Sequence, residues 1–223
     1  MPTKIFFLNA SNALSGTFPT GEQSTRTATV TATGANTLRT MTNRVGIAQS
    51  SLAVTTLANT TQQNAFMGFF CSLPLYNDYT VGGGSWILNV SNAESNLAAN
   101  FFINSINVYV WRPSTGTVVG TVRDAAALGG AEPAAAGSQR VQTFTFTTSA
   151  ISALKGDVII CELWAQFTQA NATARTGTVY FGGTTENLTL NATVSNHASF
   201  LQIAENLQFA QKPMVSVGHP FMF

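Results

Sequence analysis

Nucleophilic catalysis requires a base beside a hydroxyl or thiol, and the chain has two histidines, His197 and His219. His197 lies between Ser195 and Ser199, so a Ser–His pair is conceivable there. Serines surround most residues of this chain, and no GxSxG elbow occurs. Glycoside hydrolysis requires two carboxylates about 5–9.5 Å apart. Glu94, Glu132, Glu162 and Glu186 could supply them, but their spacing singles out no pair. Glu162 is the odd acid, because it sits inside the apolar run VIICELWAQF on the side of Val158, Ile160 and Trp164. A buried carboxylate must be paired or neutral, so Arg112, at the end of VYVWR, is the expected partner in a structural ion pair. The sequence has no HExxH, Cys-x-x-Cys or DxDxDG spacing, and Asp78, Asp124 and Asp157 are isolated. Zinc and calcium sites are therefore not expected. The expectation is a chain that is not an enzyme and has neither metal nor cofactor.

Trp86, Trp111, Trp164, Tyr76 and Tyr79 could stack on sugar rings. Most of them alternate with aliphatic residues and read as core. A carbohydrate-binding module remains an alternative, since β-sandwiches host such sites. Cys71 and Cys161 lie in FFCSL and IICEL. They read as buried thiols, and the sequence leaves their pairing open.

Composition narrows the class further. Hydrophobic residues make up 45% of 223, enough for a core, whereas charged residues make up 9% and the net charge is +1. Globular domains average about 25% charged residues. Disordered chains are charge-rich and apolar-poor, so this chain is expected to fold. Its arginines are scattered singly, which gives no basic patch for nucleic acid. No run approaches the ~20 apolar residues of a membrane helix. The apolar run Phe6-Phe7-Leu8 is shorter than the about 7–15 residues of a signal sequence, so synthesis in a cytoplasm is expected. The Asn-x-Ser/Thr triplets read as chance in a chain rich in Asn and Thr.

Strand signals recur from Lys4–Leu8 to Ser199–Ala204, with β-branched and aromatic residues dominating each run. GDVIICELWAQF is apolar on both sides, which predicts a central strand covered on both faces. No segment predicts a convincing amphipathic helix; Gly129, Gly130 and Pro133 break the Ala-rich stretch 123–139. The expected fold is all-β, an antiparallel β-sandwich of jelly-roll type with extended N- and C-terminal segments; a barrel is the structural alternative. Residues 1–64 read as an extended Ser/Thr/Asn-rich arm or edge strands, residues 65–211 as the sandwich, and residues 212–223 as an apolar tail. Met214, Val215, Val217, Phe221 and Phe223 of that tail dock on the chain's own domain or on a neighbour.

The segment QTFTFTTS alternates almost without exception. Phe144 and Phe146 take one face, and Thr143, Thr145 and Thr147 take the other. A strand face turned to water usually carries ions. Hydroxyls can instead hydrogen-bond across an interface without the several kcal/mol that desolvating an ion costs, and interface cores are depleted of charge. The threonine face is therefore expected to meet another chain. Phe6, Phe7 and Leu8 are further interface candidates, together with the tail residues named above.

The segments SWILNVSNAESNLAAN (85–100), VYVWRPSTGTVVG (108–120), GDVIICELWAQFTQ (156–169), VYFGGTTE (179–186) and VSNHASFLQI (194–203) resemble virion structural proteins of tailed bacteriophages, of the capsid cement or decoration type. The resemblance implies a β-sandwich that forms homo-oligomers, a trimer above all. It further implies binding to the major capsid protein on the outer surface of the shell, with extended termini clamping neighbours. It implies no catalytic residue, no nucleic acid and no membrane. A receptor-binding or carbohydrate-binding fibre module is the alternative.

Overall fold

The computed structural model describes residues 2–11, 16–43, 47–58, 62–129, 137–168, 173–186, 189–190 and 192–210. The described residues form fourteen strands and one 3-10 turn, Leu97–Ala99. The strands are β1 Thr3–Ser11, β2 Val30–Thr31, β3 Leu38–Thr42, β4 Ile47–Thr55, β5 Gln63–Cys71, β6 Tyr79–Val81 and β7 Ser85–Glu94. They continue with β8 Phe101–Arg112, β9 Thr117–Arg123, β10 Arg140–Thr147, β11 Ile151–Ala153, β12 Val158–Phe167, β13 Thr176–Gly183 and β14 Phe200–Ile203. No helix among them is long and apolar enough to cross a membrane.

The main sheet runs β4-β13-β7-β14-β1-β3-β5-β12-β8-β9, with β10 added to β7 and β2 added to β5. β6 and β11 form a separate pair. Pairing is antiparallel except that β2 and β3 both run parallel to β5. The two halves of this path fold onto each other into a β-sandwich. The Phe70 ring on β5 lies 5.5 Å from Phe181 on β13, although the two strands are far apart in sheet order. Phe7 of β1 meets Phe70 at 4.7 Å. Trp86, Leu88 and Val90 of β7 face the same interior and are fully buried.

β12 is buried along its whole length. Its Ile159, Cys161 and Leu163 belong to one face and its Val158, Ile160, Glu162 and Trp164 to the other. A second cover is therefore required, and the segment 16–29 provides it as a strap. Thr17 donates its amide to the Pro113 carbonyl and accepts from Trp111 Nε1 at 2.6 Å. Thr29 donates to the Asn64 carbonyl, and Ala32, just past β2, donates to the Phe66 carbonyl. Phe18 and Ala28 pack against the core from this side.

Residues 3–55 therefore contribute β1 to β4, and β1 is an interior strand between β14 and β3. That position corrects the reading of Phe6, Phe7 and Leu8 as interface residues. Phe7 lies in the main core, and Phe6 and Leu8 form a small cluster with Ala198 and Phe200. A strand with neighbours on both edges and buried side chains on both faces offers nothing to a partner. Met214, Val215, Val217, Phe221 and Phe223 lie outside the described residues.

The close approach of the two layers shows at Gly177 of β13. A Cβ there would come within 2.2 Å of the Phe101 ring, which itself packs on Phe167 at 4.9 Å. Gly177→Ala is expected to cost about 1–3 kcal/mol through overpacking. A thermal melt should register this as a fall in Tm of roughly 2–4 °C per kcal/mol.

Candidate functional site

β10 pairs with β7 and, among the described residues, with no other strand. The pairing register builds rows of side chains across four strands. Thr145, Ile87, Gln202 and Lys4 form one row that reaches the surface; Thr143, Asn89, Phe200 and Phe6 form the next, which is buried beyond Thr143. Thr147 stands opposite Ser85. Phe144 and Phe146 point inward and are buried, as their alternation with threonine predicts. Thr145 and Thr147 are exposed, and Thr143 is half-buried and accepts from Asn89 Nδ2 at 2.8 Å. Lys4 is the one ion in these rows. It is paired with Glu186 and lies 4.7 Å over the Phe200 ring. The result is a polar, nearly ion-free sheet surface beside an open edge.

The open edge also presents backbone groups. Thr148 donates its amide to Gly84 of the β7 side, and Val141 donates in the opposite direction, to Ala192. Amides in an antiparallel pair alternate in direction, so those of Thr145 and Thr147 point away from β7. Neither meets a partner among the described residues. A cleft of about 320 Å³ runs beside them, lined by Arg123, Leu128, Thr145 and Thr147 among others.

The second polar feature is buried. Glu162 is fully inaccessible and accepts from Gln23 N at 2.5 Å, Ser24 N at 3.1 Å and Asn107 Nδ2 at 3.1 Å. Two of these donors are backbone amides of the strap, so the carboxylate fixes the segment 16–29 to the sheet. Burial raises the Glu162 pKa above 4.5, and the hydrogen bonds to its carboxylate oppose that rise without cancelling it. The nearby Glu22 carboxyl is raised as well, first by its own burial and then by the charge on Glu162. Burial and the same charge raise the Tyr109 phenol.

The structure does not bring Arg112 and Glu162 together. Arg112 forms a bidentate pair with Asp157, Nε to Oδ1 and Nη2 to Oδ2, both at 2.8 Å. The register explains the correction. Trp111 stands opposite Val158, which puts Arg112 beside Asp157. Glu162 stands opposite Asn107, five residues and about 16 Å further along the strand. Asp157 also accepts from Leu154 N at 2.8 Å and so closes the turn before β12. The sequence showed Asp157 only as an isolated acid, and nothing in its spacing disclosed this role.

The other candidate groups are occupied or scattered. Ser199 Oγ donates to the Tyr180 carbonyl at 2.7 Å and accepts from Ser91 N. His197 is buried. Trp86, Trp111 and Trp164 are core residues, whereas Tyr76 is exposed. Cys71 and Cys161 are buried and are not joined in a disulfide. Among the described residues no three His, Cys, Asp or Glu side chains are grouped to hold a metal.

No protein-family model and no curated protein matches the chain. The chain is similar in part to several solved structures. A CocE/NonD family hydrolase from Staphylococcus aureus has TM-score 0.47 and 11% identity, over 91% of this chain and 36% of that one. An aminopeptidase from a marine sediment Thaumarchaeota archaeon has TM-score 0.32 and 10% identity, over 62% of this chain and 25% of that one. A structure of infectious bursal disease virus, Gx strain, has TM-score 0.20 and 13% identity, over 70% of this chain and 39% of that one. The chain thus spans well under half the length of each. The expectation that the chain is not an enzyme is corrected here: a hydrolase and an aminopeptidase are among the structures to which it is similar. These likenesses concern the fold and assign no activity.

Glu162 gives a pH prediction with a defined sign. Its folded-state pKa lies above the unfolded value, so its stabilising contribution is complete below 4.5 and declines as pH rises through the raised pKa. Glu162→Gln removes the titration. The wild-type Tm minus the variant Tm should therefore fall as pH is raised from below 4.5 toward neutrality, followed by circular dichroism. A difference that grows with pH would contradict the burial account.

Proposed function

We propose that the chain is a virion structural protein, a cement or decoration subunit on the outer surface of a bacteriophage capsid. In this reading it associates with copies of itself, as a trimer, and with the major capsid protein. The observation that carries the proposal is the exposed pair Thr145 and Thr147 on an edge strand, whose two amides meet no partner among the described residues. An edge strand left open is a template for pairing with another chain. Monomeric proteins usually blunt such edges with several charges; here Arg123, donating to the Thr147 carbonyl, stands beside two threonine hydroxyls. The segments that resemble phage cement proteins fall on β7, the end of β8, the start of β9, β12, the later part of β13, and β14. Many weak contacts repeated over a shell would stabilise it collectively.

The test is a Thr145→Lys, Thr147→Lys double variant mixed with purified shells. Both positions are exposed, so folding stability should change by no more than about 0.5 kcal/mol per site. Pelleting assays and particle images should show association lost while the isolated chain melts as before. Undiminished decoration of shells by the double variant would refute the assignment.

A further inference from the structure

The geometry points to a saccharide-binding cleft on the strap side of the sandwich, and it stands independently of the assembly reading. A cavity of about 530 Å³ opens between the strap, the ends of β5 and β12, and the loop after β9. That volume falls within the range of small-molecule sites, about 300–1,000 Å³. Its polar lining is mostly amide: Asn64, Asn104, Gln166 and Gln62, with Arg26 and Thr25 from the strap.

Asn104 distinguishes this cleft from an ordinary polar groove. The pairing of β8 with β12 slips here, with Ser105 opposite Trp164 and Ile103 opposite Ala165. Asn104 is the extra residue of that bulge. Bulges re-aim a side chain and are over-represented next to sites. Asn104 is 6% exposed, lines the cleft, and its side-chain amide has no partner among the described residues. Its side-chain donor and acceptor face the cleft uncommitted to the protein, so both are available to an occupant. Its backbone carbonyl accepts from Leu128 N at 2.7 Å, which draws the loop after β9 across to form a wall.

The neighbouring groups are held in place around it. Asn64 Oδ1 accepts from Arg26 Nη1 at 3.1 Å and from Gln166 Nε2 at 3.2 Å. Arg26 Nη2 donates to the Ala125 carbonyl at 3.3 Å. Gln166 therefore leaves its side-chain carbonyl to the cleft, and both terminal nitrogens of Arg26 are already engaged with the protein. Paired amide donors and acceptors match vicinal hydroxyls. The methyl groups of Ala125 and Ala127 offer a small apolar wall for the carbon face of a ring. No carboxylate lines the cleft to attract a cation, and the single guanidinium is already committed, so an anion is not its best occupant. The ligand class is a short neutral saccharide.

The experiment titrates the full chain with a panel of free neutral mono- and disaccharides while recording side-chain amide resonances by NMR. The expected result is a saturable shift of the Asn104 amide with at least one sugar. Asn104→Ala should weaken that affinity by about tenfold or more, the effect of one lost hydrogen-bonded contact. Its Tm should stay the same or rise, because the amide removed has no partner. Absence of a saturable response to every sugar would overturn the inference. So would an Asn104→Ala variant that binds equally well, or one whose Tm falls as a structural asparagine's would.

Discussion

β12 is buried on both faces along its ten residues, and the rest of the structure is arranged to satisfy that condition. One face is covered by the opposite layer of the sandwich, where Phe70, Phe181 and Phe7 meet. The other is covered by a strap with little hydrophobic bulk of its own. The strap stays in place because polar groups in the sheet reach it. Trp111 donates to Thr17, and Glu162 accepts from the amides of Gln23 and Ser24. A carboxylate in an apolar strand is costly by itself. Here it takes up backbone donors that a covering loop would otherwise bury without partners.

Much of this was legible in the sequence and some of it could not have been. The two-sided apolar pattern of VIICELWAQF identified a central strand, and the alternation of QTFTFTTS gave the inward phenylalanines and outward threonines of β10. Both patterns follow from side-chain period alone. The roles of Glu162 and Arg112 were legible only in part. That both needed partners followed from their setting, but which partners depended on register. The strap had no signal of its own within residues 1–64, because its bonds to Glu162 use main-chain amides, which any residue supplies. Asn104 gave no signal at all, since a bulge is a one-residue slip between strands distant in sequence.

The scarcity of charge is sharper in three dimensions than in composition. Three of the nine acids, Glu94, Asp157 and Glu162, are buried. Asp157 is joined to Arg112 and Glu186 to Lys4, and Glu94 accepts from the Phe101 amide at 3.0 Å. Few ions remain to keep the outer sheet face apart from other proteins. Solubility and protection against edge pairing ordinarily rest on such ions; at β10 they are two arginines, Arg140 at its start and Arg123, which donates to the Thr147 carbonyl.

The central claim is that another polypeptide covers the outer edge of β10 in the working state. Amide hydrogen exchange at Thr145 and Thr147 tests it most directly, comparing the dilute chain with the chain bound to shells. The account predicts rapid exchange when dilute and strong protection when bound, with the Phe144 and Phe146 amides, which face β7, slow in both. Equal and rapid exchange of Thr145 and Thr147 in both states would contradict it.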